Sequence, residues 1–193
     1  MDFLHIPKQE DIRLKTAGQL LVAEPFLSDP NFSRGTVLLC EHSEKGTIGF
    51  VINRITDFNL EDLLPEIAVP AIPIYTGGPV QADTMHMLHR IPHLLGGQEV
   101  CPGIYWGGAF EALKDALINN TCNTDDVKLL LGYSGWSEGQ LDTEMKQGSW
   151  YVAEPSISLL FETDSTQIWQ DAIRSLGADY THLINLPINP QLN

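Results

Sequence analysis

Val127-Lys128-Leu129-Leu130-Leu131-Gly132-Tyr133-Ser134-Gly135-Trp136-Ser137-Glu138-Gly139-Gln140-Leu141 is the stretch whose reading decides the fold. Val127 to Leu131 is an apolar run of the length of a buried strand. Two glycines and two aromatics follow, and they predict a tight strand-to-helix corner. Ser137 with Gln140 three residues later has the spacing of a capping box, so a helix is expected to leave that corner. Leu141 and Met145 supply its apolar face, and Gly148 its stop.

Outward from this stretch the chain alternates short apolar runs with turn chemistry. Gly18 to Ala23 predicts a first strand, closed by Glu24-Pro25. Thr36–Cys40 and Thr47–Ile52 are rich in β-branched and apolar residues, with a short polar link containing Gly46. That pattern predicts an antiparallel hairpin. Asn59 is positioned to cap a short helix carrying Leu60, Leu63 and Leu64. Ile72-Pro73-Ile74-Tyr75 reads as an edge strand because proline cannot donate to a ladder, and Gly77-Gly78-Pro79-Val80 as a sharp turn. Met85 to Ile91 fits strand or helix.

Gly103 to Trp106 reads as a short strand, Gly108 to Asn119 as a helix, and Trp150 to Ala153 as a strand. Ile168, Trp169, Ala172, Ile173 and Leu176 make one helical stripe within Ser165–Leu176. Leu186 to Pro190 reads as extended. There is neither an internal repeat nor a dividing linker, so residues 1–16 are expected to form a tail or capping segment and residues 17–193 one α+β domain.

At 193 residues with 43% hydrophobic content the chain can bury a substantial core. No apolar run approaches the roughly 18 residues of a membrane span, and the N-terminus lacks signal-peptide features, which makes a cytoplasmic location the expectation. Eleven basic residues against 25 acidic ones give a net charge of −14. Affinity for nucleic acid comes largely from Lys and Arg on phosphates. The bulk field here opposes direct binding to nucleic acid or anionic lipid and leaves a protein as the expected partner. Three widely spaced cysteines make no disulfide framework, and Cys40 reads as a buried thiol.

The chemistry-bearing patterns are incomplete. Gly132-Tyr133-Ser134-Gly135-Trp136 resembles the G-x-S-x-G elbow but ends on Trp136, so no catalytic serine is assigned. Cys40-Glu41-His42, His86, His89 and His93 fall into no zinc or calcium motif, so no metal is expected. The glycine pairs Gly77-Gly78 and Gly107-Gly108 lack the lysine and spacing of nucleotide loops, so no cofactor is expected. The carboxylates read as caps and solvated faces. His42, Asn53, Arg54 and His89 remain as a polar set on neighbouring strands that a concave binding site would use.

Several motifs in order resemble the bacterial YqgE/AlgH family. They are Phe32-Ser33-Arg34-Gly35-Thr36-Val37, Glu41-His42, Gly46-Thr47-Ile48-Gly49-Phe50-Val51-Ile52-Asn53-Arg54, Gly77-Gly78-Pro79-Val80, Leu88-His89, Gly132-Tyr133-Ser134-Gly135-Trp136 and Gly139-Gln140-Leu141. The resemblance spans about residues 17–185. It implies a bacterial cytosolic protein whose mostly antiparallel, bent sheet forms a pseudo-barrel with flanking helices. The AlgH name carries the label of a transcriptional regulator of alginate synthesis, yet the family has no agreed activity or catalytic residues. The recurring positions are Glu41, His42, Gly49, Asn53, Arg54, Gly78, Pro79, His89, Gly132, Gly135, Trp136, Gly139, Gln140 and Leu141. Ser134 stands where the family usually has alanine, and Asp83-Thr84 where it usually has Arg-Gly. The first departure weighs against a catalytic serine, the second against an anion site.

The expected function is therefore a non-catalytic regulatory or interaction protein. The alternative is a small-molecule-binding protein or enzyme, ligand unknown, with its site near His42, Asn53, Arg54 and His89.

Overall fold

The computed structural model of the chain describes residues 17–65 and 68–187, which places the expected N-terminal tail and the last residues outside the described part. Ten strands and five short helices alternate along it. In order they are β1 (Leu20–Ala23), β2 (Thr36–Ser43), β3 (Gly46–Val51), β4 (Ile55–Asn59), α1 (Leu60–Leu63), β5 (Pro73–Thr76), β6 (Val80–His89), α2 (Pro92–Leu95), β7 (Gln98–Cys101), β8 (Ile104–Trp106), α3 (Phe110–Ile118), β9 (Val127–Ser137), α4 (Gln140–Gln147), β10 (Trp150–Ala153) and α5 (Ile168–Ser175). This is the α+β class the sequence implies.

β9 is the axis. The strand does not stop at Leu131 but runs on through Ser137, so the expected corner at Gly132–Trp136 is part of an eleven-residue strand. Its first half lies between β5, parallel to it, and β6, antiparallel: Leu130 faces both Tyr75 and His86. Beyond Gly132, β3 takes the place of β5, pairing Gly49 with Ser134 and Thr47 with Trp136. The sheet then continues through β2 and β1 to β10 on one side and through β6 and β8 to β7 on the other.

Because β5 and β6 flank β9 on opposite sides, the link between them has to pass across β9. Gly77-Gly78 makes that crossing. A Cβ on Gly78 would lie 2.2 Å from the Tyr133 carbonyl carbon, and one on Gly132 would lie 2.5 Å from Gly78 O. Gly132 also holds φ +68, a left-handed conformation that side-chain-bearing residues rarely adopt. Two backbones touch here, which is a second recognised use of glycine within a strand.

The sheet stays open. Its β7 end curls back onto the segment leading into β1: a Cβ on Gly18 would lie 2.5 Å from Val100 O on β7. The pseudo-barrel is thus a curl packed along a seam, not a closed ladder. One face of the curl carries Leu20, Leu38, Phe50, Leu88 and Leu130 and is filled by Ile168, Trp169, Ala172 and Ile173 of α5. The other face is covered by α1, α2 and α3 over Ile74, Met87 and Leu129, and by α4 over Leu21, Val37, Val51 and Trp136. Coverage on both faces explains the near-continuous apolar runs of the central strands.

Several local expectations change. β5 lies inside the sheet, and Pro73 is tolerated because it is the first residue of the strand. Met85–Ile91 resolves as strand up to His89. Gly139, not Ser137, sits at the α4 N-cap, although Gln140 Oε1 does accept the Ser137 N–H at 3.1 Å, which is half of the expected capping box. α5 starts three residues late because Asp164 Oδ1 takes the Thr166 N–H and hydroxyl, fixing a local turn. A 3-10 helix over Ala178–Asn185 precedes the extended Leu186, and residues 188–190 of the predicted extended tail lie outside the described part.

Candidate functional site

Asn53 and Arg54 follow β3 and turn onto the loop before β2. Asn53 Oδ1 accepts the Thr36 N–H at 2.9 Å and its Nδ2 donates to Arg34 O at 3.0 Å. Arg54 donates to Pro30 O at 2.7 Å and to Ser33 O at 2.8 Å. Both side chains therefore latch the 30–36 loop, which must be held because Arg34 sits at φ +51 over the Trp169 ring.

His89, at the end of β6, is fully buried. Its Nε2 lies 3.1 Å from Gly107 O and its Nδ1 accepts the Ile91 N–H at 3.3 Å, so these partners assign the Nε2–H tautomer. The ring stacks on Tyr105. Burial holds its pKa below the ordinary histidine value, against an opposing pull from the Gly107 carbonyl.

His42 stands apart, near the tip of the β2–β3 hairpin, with Nδ1 2.7 Å from Thr47 Oγ1. Here a cleft of about 150 Å³ opens between the hairpin (His42, Glu44, Thr47) and the β9–α4 junction (Ser137, Gly139, Asp142). Thr47 pairs with Trp136 near one end of β9 and His89 with Val127 at the other. Nine residues of strand, about 30 Å of chain, separate the two levels. Asn53, Arg54 and His89 bond the chain's own backbone, while His42 lines the cleft described here, at the opposite end of β9 from His89.

Ser134 is fully buried and its Oγ donates to Gly77 O at 3.1 Å, so its hydroxyl ties down the crossing link. Among the described residues, no group of three His, Cys, Asp or Glu side chains is placed to hold a metal ion. Burial pushes the Cys40 thiol well above its ordinary range, as expected of a packed cysteine.

Two features escape the sequence reading. Lys128, inside the apolar run of β9, is 5% exposed with Nζ donating to Ile52 O at 3.0 Å. The warning sign was a cation inside Val-Lys-Leu-Leu-Leu. The second is an exposed apolar patch on β4 and α1: Ile55 is 52% exposed, Phe58 51% and Leu63 40%. β4 pairs with β5 alone and so lies at a margin of the sheet. Isoleucine and phenylalanine separated by Thr56-Asp57 could have flagged it.

A curled, open α+β sheet threaded by one long central strand defines the structural class of this protein. The AlgH-like family model (DUF179) matches residues 20–181, and the chain belongs to that family. A UPF0301 protein of Chlorobaculum tepidum is 39% identical over 177 residues, covering 91% of this chain and 95% of its own. The solution structure of the AlgH protein from Pseudomonas aeruginosa superposes with a TM-score of 0.69 at 29% identity, covering 94% of this chain and 98% of that one. A crystal structure of protein DIP2367 from Corynebacterium diphtheriae, 22% identical, shares the fold with a TM-score of 0.74 over 92% of this chain and 94% of its own.

Proposed function

We propose that this AlgH-like protein is a non-catalytic regulatory or interaction protein of the bacterial cytoplasm, acting by holding a protein partner. The observation that carries this reading is the run of exposed apolar side chains Ile55, Phe58 and Leu63 at the margin of an otherwise well-sealed sheet. Three exposed large apolar side chains within nine residues of chain are more than the scattered single ones a sealed surface carries, and such concentrations mark contact surfaces. The net charge of −14 supports a protein over nucleic acid, and the internal bonding of Asn53, Arg54 and His89 supports a scaffold over a reaction centre. The regulator label attached to the AlgH name fits such a role without contact to DNA. Native purification after mild cross-linking is expected to recover a stoichiometric complex with a second protein. Recovery of the chain alone under those conditions overturns the reading.

A second reading, a small-molecule site, is favoured by the His42 cleft. Its volume of about 150 Å³ suits a ligand of a few heavy atoms and lies well below the roughly 300 Å³ at which drug-sized sites begin. A thermal-shift screen of small polar metabolites is expected to give a saturable shift that His42→Ala abolishes. A screen without any saturable shift removes this reading.

A further inference from the structure

Resting on the interaction reading above, we infer that the β4–α1 margin takes a cationic, apolar segment of another protein, with Ile55, Phe58 and Leu63 forming the contact and Asp57, Glu61 and Asp62 selecting its charge. The apolar side chains expose 52%, 51% and 40% of their surface within nine residues of chain. All three carboxylate residues are themselves exposed, and they alternate with the apolar ones along the same segment. No lysine or arginine occurs between Ile55 and His89. Arg54, the nearest in sequence, is turned onto Pro30 O and Ser33 O. Exposed apolar and acidic side chains thus alternate along this margin, and an occupant with the complementary pattern carries Lys or Arg beside apolar side chains.

The same charges select against other occupants. A second copy meeting this face would bring six carboxylates together between chains of net charge −14 each. Nucleic acid and anionic lipid meet the same repulsion. Simple strand addition is also restricted. Thr56 Oγ1 accepts the Phe58 N–H at 3.1 Å and donates to Ile74 O at 2.9 Å, so the hydroxyl occupies the Phe58 amide and ties β4 back to β5. Asn59 N–H is likewise held by Asp62 at 2.8 Å. Such plugging is how a sheet margin is protected from open-ended pairing. Recognition is left to side chains, where charge and shape discriminate.

The test uses the full chain and three synthetic octapeptides, alternating Lys-Leu, Glu-Leu and Lys-Ser, titrated by amide NMR near 0.15 M salt. The Lys-Leu peptide is expected to shift signals of residues 55–63 saturably. Phe58→Ser, Leu63→Ser and the charge reversal Glu61→Lys are each expected to weaken it at least ten-fold. All three sites are exposed, and an unchanged Tm shows that the variants fold. Equal binding by the Lys-Ser peptide, shifts spread over the whole acidic surface, or full affinity in Phe58→Ser overturns the assignment. So does a concentration-dependent dimer that Phe58→Ser dissolves, which would make the occupant a second copy. A native partner that binds wild type and Phe58→Ser alike overturns this surface but keeps the interaction reading, whereas the lack of any partner overturns that reading itself.

Discussion

Lys128 Nζ lies 3.8 Å from the centroid of the Tyr75 ring, on the strand neighbouring its own, with Ile52 O as its hydrogen-bond acceptor. No carboxylate lies within ion-pair distance of it among the described residues. A cation–π contact and one carbonyl compensate only part of the lost hydration. Burial accordingly brings the Lys128 pKa down from 10.5 to about 7.

That shift has a definite stability consequence. Between about pH 7 and pH 10.5 the unfolded chain holds a proton on Lys128 that the folded chain has released. Stability from this residue therefore rises with pH across that window, by at most about 1.4 kcal/mol per pH unit, and is lowest and flat below pH 7. Lys128→Met removes the dependence. Urea unfolding of both proteins from pH 6 to 10 should show the variant's relative advantage greatest at pH 6 and shrinking as pH rises. Parallel stability curves would sink the account.

The crossing of Gly77-Gly78 over β9 makes a contrast between glycines. Gly78→Ala places a Cβ 2.2 Å from a carbonyl carbon and 2.4 Å from Ser134 N, both backbone, which cannot swing aside. We expect a loss above about 3 kcal/mol or failure to accumulate folded protein. Gly148, at φ +80 with open space where a Cβ would stand, should cost only about 1 kcal/mol on replacement by alanine. Comparable Tm losses in the two variants would argue against a packed crossing.

The same contact explains where the sequence was legible and where it was not. Strands buried on both faces, such as Leu20–Ala23 and Trp150–Ala153, announce themselves by composition, and the β2–β3 hairpin by its short polar link. The stripe of Ile168, Trp169, Ala172 and Ile173 likewise reports α5 directly. Gly132 and Gly135, however, look locally like a corner. What requires glycine at 132 is the chain 54 residues earlier passing over it, a long-range fact without a local pattern. The candidate site suffers in the same way. His42, Asn53, Arg54 and His89 look equivalent as polar residues near strand ends, but whether each faces a cleft or its own backbone depends on a loop packed from elsewhere.

Glu144 offers a test of the α4 packing. Its Oε2 accepts the indole N–H groups of Trp136 at 2.9 Å and Trp150 at 2.8 Å, while Oε1 accepts from Gln140 at 3.0 Å. Both indoles are buried, and Phe32 packs against each of them. Glu144→Ala strands two buried donors at about 1–3 kcal/mol apiece, so a total near 3 kcal/mol is expected. Tryptophan emission should shift to the red as water reaches the rings. A variant with unchanged emission and Tm would mean the carboxylate is dispensable there.

Asn53 decides between a latch and a ligand group. Thr36 is fully buried, and its N–H has Asn53 Oδ1 as acceptor. Removing that acceptor with Asn53→Ala should cost about 1–3 kcal/mol, because an unpaired buried donor pays the full desolvation penalty. Arg54→Ala should cost less, about 1 kcal/mol, since its acceptors lie on a loop that water reaches. Both variants should lower Tm without altering any small-molecule thermal shift, whereas His42→Ala, on the cleft, should leave Tm nearly unchanged. The opposite pattern, a stable Asn53→Ala protein that has lost a ligand shift, would mean that Asn53 faces a ligand and that the loop is held by something else.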